Sequence, residues 1–497
     1  MATRKSLSLF FLVFLLIALI LFLFVEYKKK QFISELNYLE FPGFTLSTNH
    51  SEIDLLNRSI SIQQAQINTY TATDSILVTI PEIRVQGIHY SDYIFNNTVR
   101  LDSLIIDSPL LYITRYDTLP LPPVNETDSN KPFIQIKHIF LNNGKILRQD
   151  TSKDTLMSLP SLRIAITDLS TDPENNAPPK IGAYRLTILN TIIKPNTLSR
   201  VTLARMELTK EKWTLEHLLL RPTHDKYNYS KFIPYQDDWI SGTINNLELH
   251  QPDITQLSDS VFKADHIAIN GLQLDIFRDK HIARKNTQKP MLTTLLNDIP
   301  LKIALDSVLI NNGKLTYGER MPENNNYGSV TLNNIQNNIY RLNTIEKDTV
   351  FINFSANSGS QGLVKGSCTL PLASESAHFD MHLYMHKVNF ATFNSFTETN
   401  MNMTNKGIIN NAYINASGDH ISAKGRSYLN YDEFEVTLVN KKTGGAKKIL
   451  SSIANFIVPK KRDLNEEEKF TITRNQERSF FNYMWLCAQK GITVNMI

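Results

Sequence analysis

The sequence predicts a mainly β protein: a single N-terminal transmembrane helix, then an elongated, repetitive, twisted antiparallel β-sheet or β-groove with a few short helices, and a helical C-terminal tail. Three observations carry this. Ser6 to Val25 is an uncharged, almost wholly apolar run of about 20 residues, long enough as a helix to cross about 30 Å of hydrocarbon. Most of the remaining chain places apolar residues at a period of two, the mark of half-buried strands. One segment recurs four times with the same internal change of phase.

The apolar run reads as an uncleaved anchor. Leu7, Phe10, Phe11, Phe14, Leu16, Ile20 and Phe24 are its anchor residues, with Arg4 and Lys5 before it and Lys28, Lys29 and Lys30 after it to sit among headgroups. A secretory signal has a shorter apolar core and ends at a small-x-small site, whereas this run ends in Val25, Glu26 and Tyr27. It has no polar face, which argues against a helix buried in a soluble core. Counted over the flanks, the basic residues hold the C-terminal side in the cytoplasm.

Composition narrows the function further. A net charge of +4 over 497 residues supplies no basic stripe for nucleic acid. Cys368 and Cys487 are too far apart in sequence for a metal or redox motif. Plentiful asparagine and β-branched residues with sparse glycine suit strands joined by Asn-built turns.

Taken in order, the chain divides into an anchor (1–35), a β-rich body (36–440) with sub-blocks 36–117, 133–280 and 300–440, and a helical tail (441–497). Period-two alternation runs from Leu36 to Tyr116. Thr118 to Pro132 and Asp172 to Pro179 are rich in proline and polar residues and read as breaks. Glu211 to Arg221 fits either a helix or a buried strand, and Met291 to Leu296 a short helix. Strands return from Leu301 to Val439. In the tail, Ile449, Leu450, Ile453 and Ile457 form one amphipathic helical stripe that Pro459 stops, and Gln476 to Gln489 gives a last helix.

The repeat is the most informative feature of the body. Ile134, Ile136, Ile139, Leu141, Gly144 and Ile146 match Ile303, Leu305, Val308, Ile310, Gly313 and Leu315 without a gap. Looser copies stand at Val99 to Ile113 and Phe262 to Leu274. Spacing of two keeps side chains on one face; the step of three, as from Ile136 to Ile139, requires a bulge or bend. Asn143-Gly144 and Asn312-Gly313 supply left-handed backbone, as a hairpin turn or as a bulge within one strand.

These units, with the single anchor and the C-terminal stretches GRSYLNYDEFEVTLVNKK, ILSSIANFIV and ERSFFNYMWLCAQKGI, resemble the AsmA-like proteins of the bacterial envelope, in particular those of Bacteroidetes. The resemblance covers nearly the whole chain and rests on apolar patterns. It implies an inner-membrane protein of a Gram-negative bacterium with its β-rich body in the periplasm, concerned with outer-membrane assembly and phospholipid movement. It also places Met1 to Lys5 in the cytoplasm, against the count of flanking lysines. The body is shorter than in the large members.

No catalytic constellation emerges, and the chain is read as a non-enzyme without cofactor or metal. His382 and His386 share a strand face but stand about 13 Å apart, too far to ligate one metal. Gly359 to Gly362 lacks the spacing of a nucleophile elbow, and Lys442 to Lys447 the order of a phosphate loop. The candidate site is an apolar groove lined by Leu101, Leu104, Ile106, Ile136, Ile139, Leu141, Ile267, Leu305, Val308 and Ile310. Its expected partners are membrane phospholipid, the inner membrane and envelope proteins, with no nucleic acid. The alternatives are a filled sandwich core, and a tethered structural or interaction scaffold without lipid cargo.

Overall fold

Alternating apolar and polar residues make strands with one dry face, and the computed structural model is built mainly from them. It describes residues 38–41, 44–54, 56–119, 133–172, 177–323, 326–438, 461–462 and 467–496. The chain forms two compact units, Met1–Glu216 and His217–Ile497. The anchor residues Leu7 to Phe24 and the stripe Ile449 to Ile457 lie outside the described residues. Among those described, no helix is long and apolar enough to cross a membrane.

The first unit opens with the short strands β1 (Tyr38–Phe41), β2 (Phe44–Ser47) and β3 (His50–Asp54), then the hairpin of β4 (Ser59–Tyr70) and β5 (Asp74–Gln86). Helix α1 (Tyr90–Asn96) leads to β6 (Thr98–Asp107) and β7 (Leu110–Arg115). The long strands β8 (Phe133–Asp150), β9 (Thr155–Asp172) and β10 (Ala177–Asn196) follow as an antiparallel meander continued by β11 (Ser199–Thr209). The Glu211 to Arg221 segment is a strand, β12 (Lys212–Pro222).

The second unit repeats this plan. Strand β13 (Asp238–His250) pairs with β14 (Val261–Asn270) and β15 (Gln273–Asp279), as β5 pairs with β6 and β7. Helix α2 (Leu292–Asn297) precedes the long β16 (Lys302–Arg320). An antiparallel run follows through β17 (Gly328–Asn343), β18 (Thr349–Ser358), β19 (Gly362–Pro371), β20 (Phe379–Asn389), β21 (Met403–Gly418) and β22 (Ser422–Leu438). Helix α3 (Asn394–Met401) sits between β20 and β21. The short β23 (Lys461–Arg462) and β24 (Glu468–Thr473) pair with β22, and α4 (Phe480–Val494) ends the described chain.

The four sequence copies therefore do not pair as an antiparallel sheet; they pair with one another in parallel, and the sheet is mixed. β6 and β7 lie end to end along β8, with Leu101 opposite Ile136, Leu104 opposite Ile139, Ile106 opposite Leu141 and Leu111 opposite Ile146. β14 and β15 lie along β16 in the same way, with Ala264 opposite Leu305, Ile267 opposite Val308, Ile269 opposite Ile310 and Leu274 opposite Leu315. The reason is geometric. Parallel neighbours present their residues in the same order, so two copies of one pattern coincide position by position, phase step included. Such pairs need a long crossover, and Lys280–Leu301, which contains α2, supplies it in the second unit.

The Asn-Gly pairs prove to be bulges within continuous strands. Asn143 and Asn312 have φ of 50° and 54°, and the register to the next antiparallel strand shifts at Gly144 and Gly313. A second bend marks the step of three: Asp168 on β9 and Arg341 on β17, across from Lys137 and Asp306, have φ of 54° and 58°. Bends aligned on neighbouring strands add to the right-handed twist. A Cβ added at Gly313 would sit 2.9 Å from Ile335 Cβ, so Gly313→Val should cost about 1–3 kcal/mol, measured as a lowered urea midpoint.

Three further elements depart from the expectation. Helix α1 was not foreseen, because YSDYIFN is rich in the aromatic and branched residues that favour strands. Burial of Tyr90 and Tyr93 against the first core, and a left-handed Asn97 at φ 45°, hold it as a helix. Helix α3 has no apolar stripe, and its last turn closes on left-handed Asn402. In the tail, β24 forms between the two expected helices, in the stretch after the acidic run. The final helix starts where the Ser479 side chain accepts a hydrogen bond from the Asn482 amide, four residues later than expected.

Candidate functional site

The dry faces of the strands form rows across the sheet, and the repeat residues sit at their centre. In the first unit one row runs through Ile62, Ile83, Ile106, Leu141, Ile164 and Leu186, each opposite the next. The neighbouring row contains Ile60, Val85, Leu104, Ile139 and Ile166. Leu101, Leu104, Ile106, Ile136, Ile139 and Leu141 are all 0–3% exposed and belong to a single cluster drawn from β4 to β10. In this unit the face is filled by its own side chains.

The equivalent positions of the second unit are less covered. Leu305 is 5% exposed, but Ile267, Val308 and Ile310 are half-buried, as are Ile269, Leu274 and Leu315 beside them. From Leu249 one row passes through Ile267, Val308, Ile339 and Ile352 to Cys368 and Met381. Its far end is buried in a second cluster under α4, whose Phe480, Tyr483 and Cys487 pack into it. The same dry face is thus closed over β19 to β24, while over β13 to β17 the buried Leu249, Ala264 and Leu305 alternate with the partly exposed Ile267, Ile269, Val308 and Ile310. Leaving a Val or Ile half-wet forgoes about 1 kcal/mol or more per side chain.

Sequence reasoning placed ten residues here, and the parallel register brings eight of them together as cross-strand pairs: Leu101 with Ile136, Leu104 with Ile139, Ile106 with Leu141, and Ile267 with Val308. Ile310 pairs instead with Ile269, and Leu305 with Ala264. Ile339 and Ile352, which continue the half-open row, were missed because β17 and β18 carry no copy of the repeat; only their period-two alternation marks them.

Ion pairs pin the ends of the strands that carry these rows. Asp238 accepts two hydrogen bonds from Arg278 at 2.8 and 2.6 Å, and Lys280 meets Glu319 at 2.5 Å. Asp279, nearly buried, binds the Arg320 guanidinium and His281. Burial alone pushes the Asp279 carboxyl up, but hydrogen bonds from Arg320, the His281 amide and Ser230 outweigh it and hold the group well below the usual carboxylate range. The first unit has a counterpart in Arg148 and Asp74, 2.6 Å apart.

The remaining chemical candidates resolve into structural roles. His382 and His386 do not converge: Nδ1 of each bonds a different amide, Asn415 at 2.7 Å and Asn411 at 3.0 Å. Burial pushes the Cys368 thiol up to about 12 and the Cys487 thiol up to about 11, so both stay protonated core residues. No family model matches the chain, and no curated protein matches it.

Proposed function

We propose that the chain is a membrane-anchored envelope protein that assists outer-membrane assembly by handling phospholipid, with acyl chains lying along the half-open apolar rows of its second unit. The reading includes the single N-terminal anchor in the inner membrane, a body in the periplasm of a Gram-negative bacterium, and no catalytic step. The observation that carries it is the contrast between the repeats. The same pattern of Ile, Leu and Val is fully dry at Ile139 and Leu141 and half-wet at Val308 and Ile310. An acyl chain laid on such a face removes apolar area from water on both partners, at about 25 cal/mol per Å2 or about 0.8 kcal/mol per methylene. Headgroups would remain in solvent.

A second reading, a tethered scaffold that binds envelope proteins without lipid, draws on the first unit, where the repeat face is closed. Native mass spectrometry of the detergent-purified full chain separates the two. The lipid reading predicts phospholipid adducts that survive purification and disappear in Val308→Asp. A clean apo mass with a co-purified protein would favour the scaffold.

A further inference from the structure

Strand alternation gives β17 to β22 a second face, opposite the row that runs through Cys368 and Met381. On it Lys365, Tyr384, Tyr413 and Tyr428 stand opposite one another in one row. Ring centroids are 4.8 Å apart between Tyr384 and Tyr413 and 6.1 Å between Tyr413 and Tyr428. Tyr413 is 49% exposed. Two residues along the strands runs a polar row of Ser367, His382, Asn415, Arg426 and Lys469. On the other flank are His386, Asn411 and Asn430. Asn411 Oδ1 accepts from the Tyr384 hydroxyl at 3.1 Å, which fixes ring and amide together.

From this geometry we infer that the face binds an acidic saccharide chain. Amphipathic rings in a row offer flat apolar contact at little cost in side-chain entropy, and adaptable amides lie on both sides. That combination matches a sugar, whose ring face is C–H and whose edge is hydroxyl. Charge selects the acidic kind. The tyrosine row and both flanking rows carry Lys365, Arg426 and Lys469; the exposed Glu467 forms an ion pair with Arg426 at 3.7 Å, so the preference for an acidic chain rests on Lys365 and Lys469. The site is independent of the lipid reading, since it lies on β19 to β24 and on the face opposite the apolar row, whereas the partly exposed apolar residues lie on β13 to β17.

Titration calorimetry on the detergent-solubilised full chain tests this with a mannuronate hexamer and, as the neutral control, mannohexaose. The hexuronate should bind more tightly than the neutral hexamer, and the difference should fall as salt rises. Tyr413→Ala should weaken binding at least tenfold with an unchanged far-ultraviolet spectrum. Lys365→Gln, which keeps the aromatic row, should reduce mainly the preference for the acidic chain. Equal binding of polyglutamate and hexuronate, binding indifferent to Tyr413→Ala, or no binding of either sugar would overturn the proposal. So would a co-purifying protein lost in Tyr413→Ala, which would make the face a protein surface.

Discussion

Ile139→Asp should leave the first unit unfolded, whereas Val308→Asp, the same change at the matching position of the repeat, should leave the second unit folded. Ile139 is 0% exposed and faces Leu104 and Ile166 across its strands. The substitution removes about 2–3 kcal/mol of apolar burial and adds an unpaired buried carboxylate costing several more. Together these consume much of the roughly 5–15 kcal/mol that holds a domain. Val308 is half-buried, so a carboxylate there keeps water and should cost about 1–2 kcal/mol, an ordinary point-mutant effect. Limited proteolysis and urea unfolding of the two variants, side by side, read the difference. Equal loss of structure in both would mean that the two faces are equally closed.

The second large effect is expected at Asp279. Asp279→Ala should cost about 3–5 kcal/mol, the magnitude for leaving one half of a buried pair behind, because Arg320 is only 16% exposed on its side chain. Replacing both partners, as Asp279→Leu with Arg320→Met, should recover most of that loss, and a double-mutant cycle measures the coupling. The pH dependence follows from the lowered carboxyl. Its contribution is fully present above the unfolded value of about 3.9 and is lost as pH falls toward the lower folded value. The gap in stability between the native chain and Asp279→Asn should therefore stay constant from neutral pH to about pH 4 and close below it. Tyr317 acts at the other end of the scale: burial first, then the adjacent Glu319 carboxylate, pushes its hydroxyl up. Its contribution is present below about pH 10 and lost as the pH rises beyond it.

Much of the body could be read from residue order alone, because strand character is local. Alternation marked the strands of the first unit, and the match of Ile134–Ile146 to Ile303–Leu315 marked the two longest bulged strands. Pairing direction was not legible, since an alternating strand fits a parallel neighbour as well as an antiparallel one; only the coincidence of phase steps in Leu101 to Leu104 and Ile136 to Ile139 betrays it in retrospect. Helices α1 and α3 were hidden for a different reason. Each is fixed by tertiary packing and a left-handed asparagine at its end, Asn97 or Asn402, and neither has the apolar period that a sequence displays. Cover was the least legible property. Ile139 and Val308 occupy the same place in the same pattern, and what distinguishes them is which distant strands pack over each.

Photo-crosslinking from those two positions addresses the central claim most directly. A photoreactive residue at position 308 of the full-length chain in membranes carrying radiolabelled phospholipid should yield a lipid adduct on illumination, and one at position 139 should yield none. Absence of lipid from position 308, with the protein folded and in the membrane, would contradict the account.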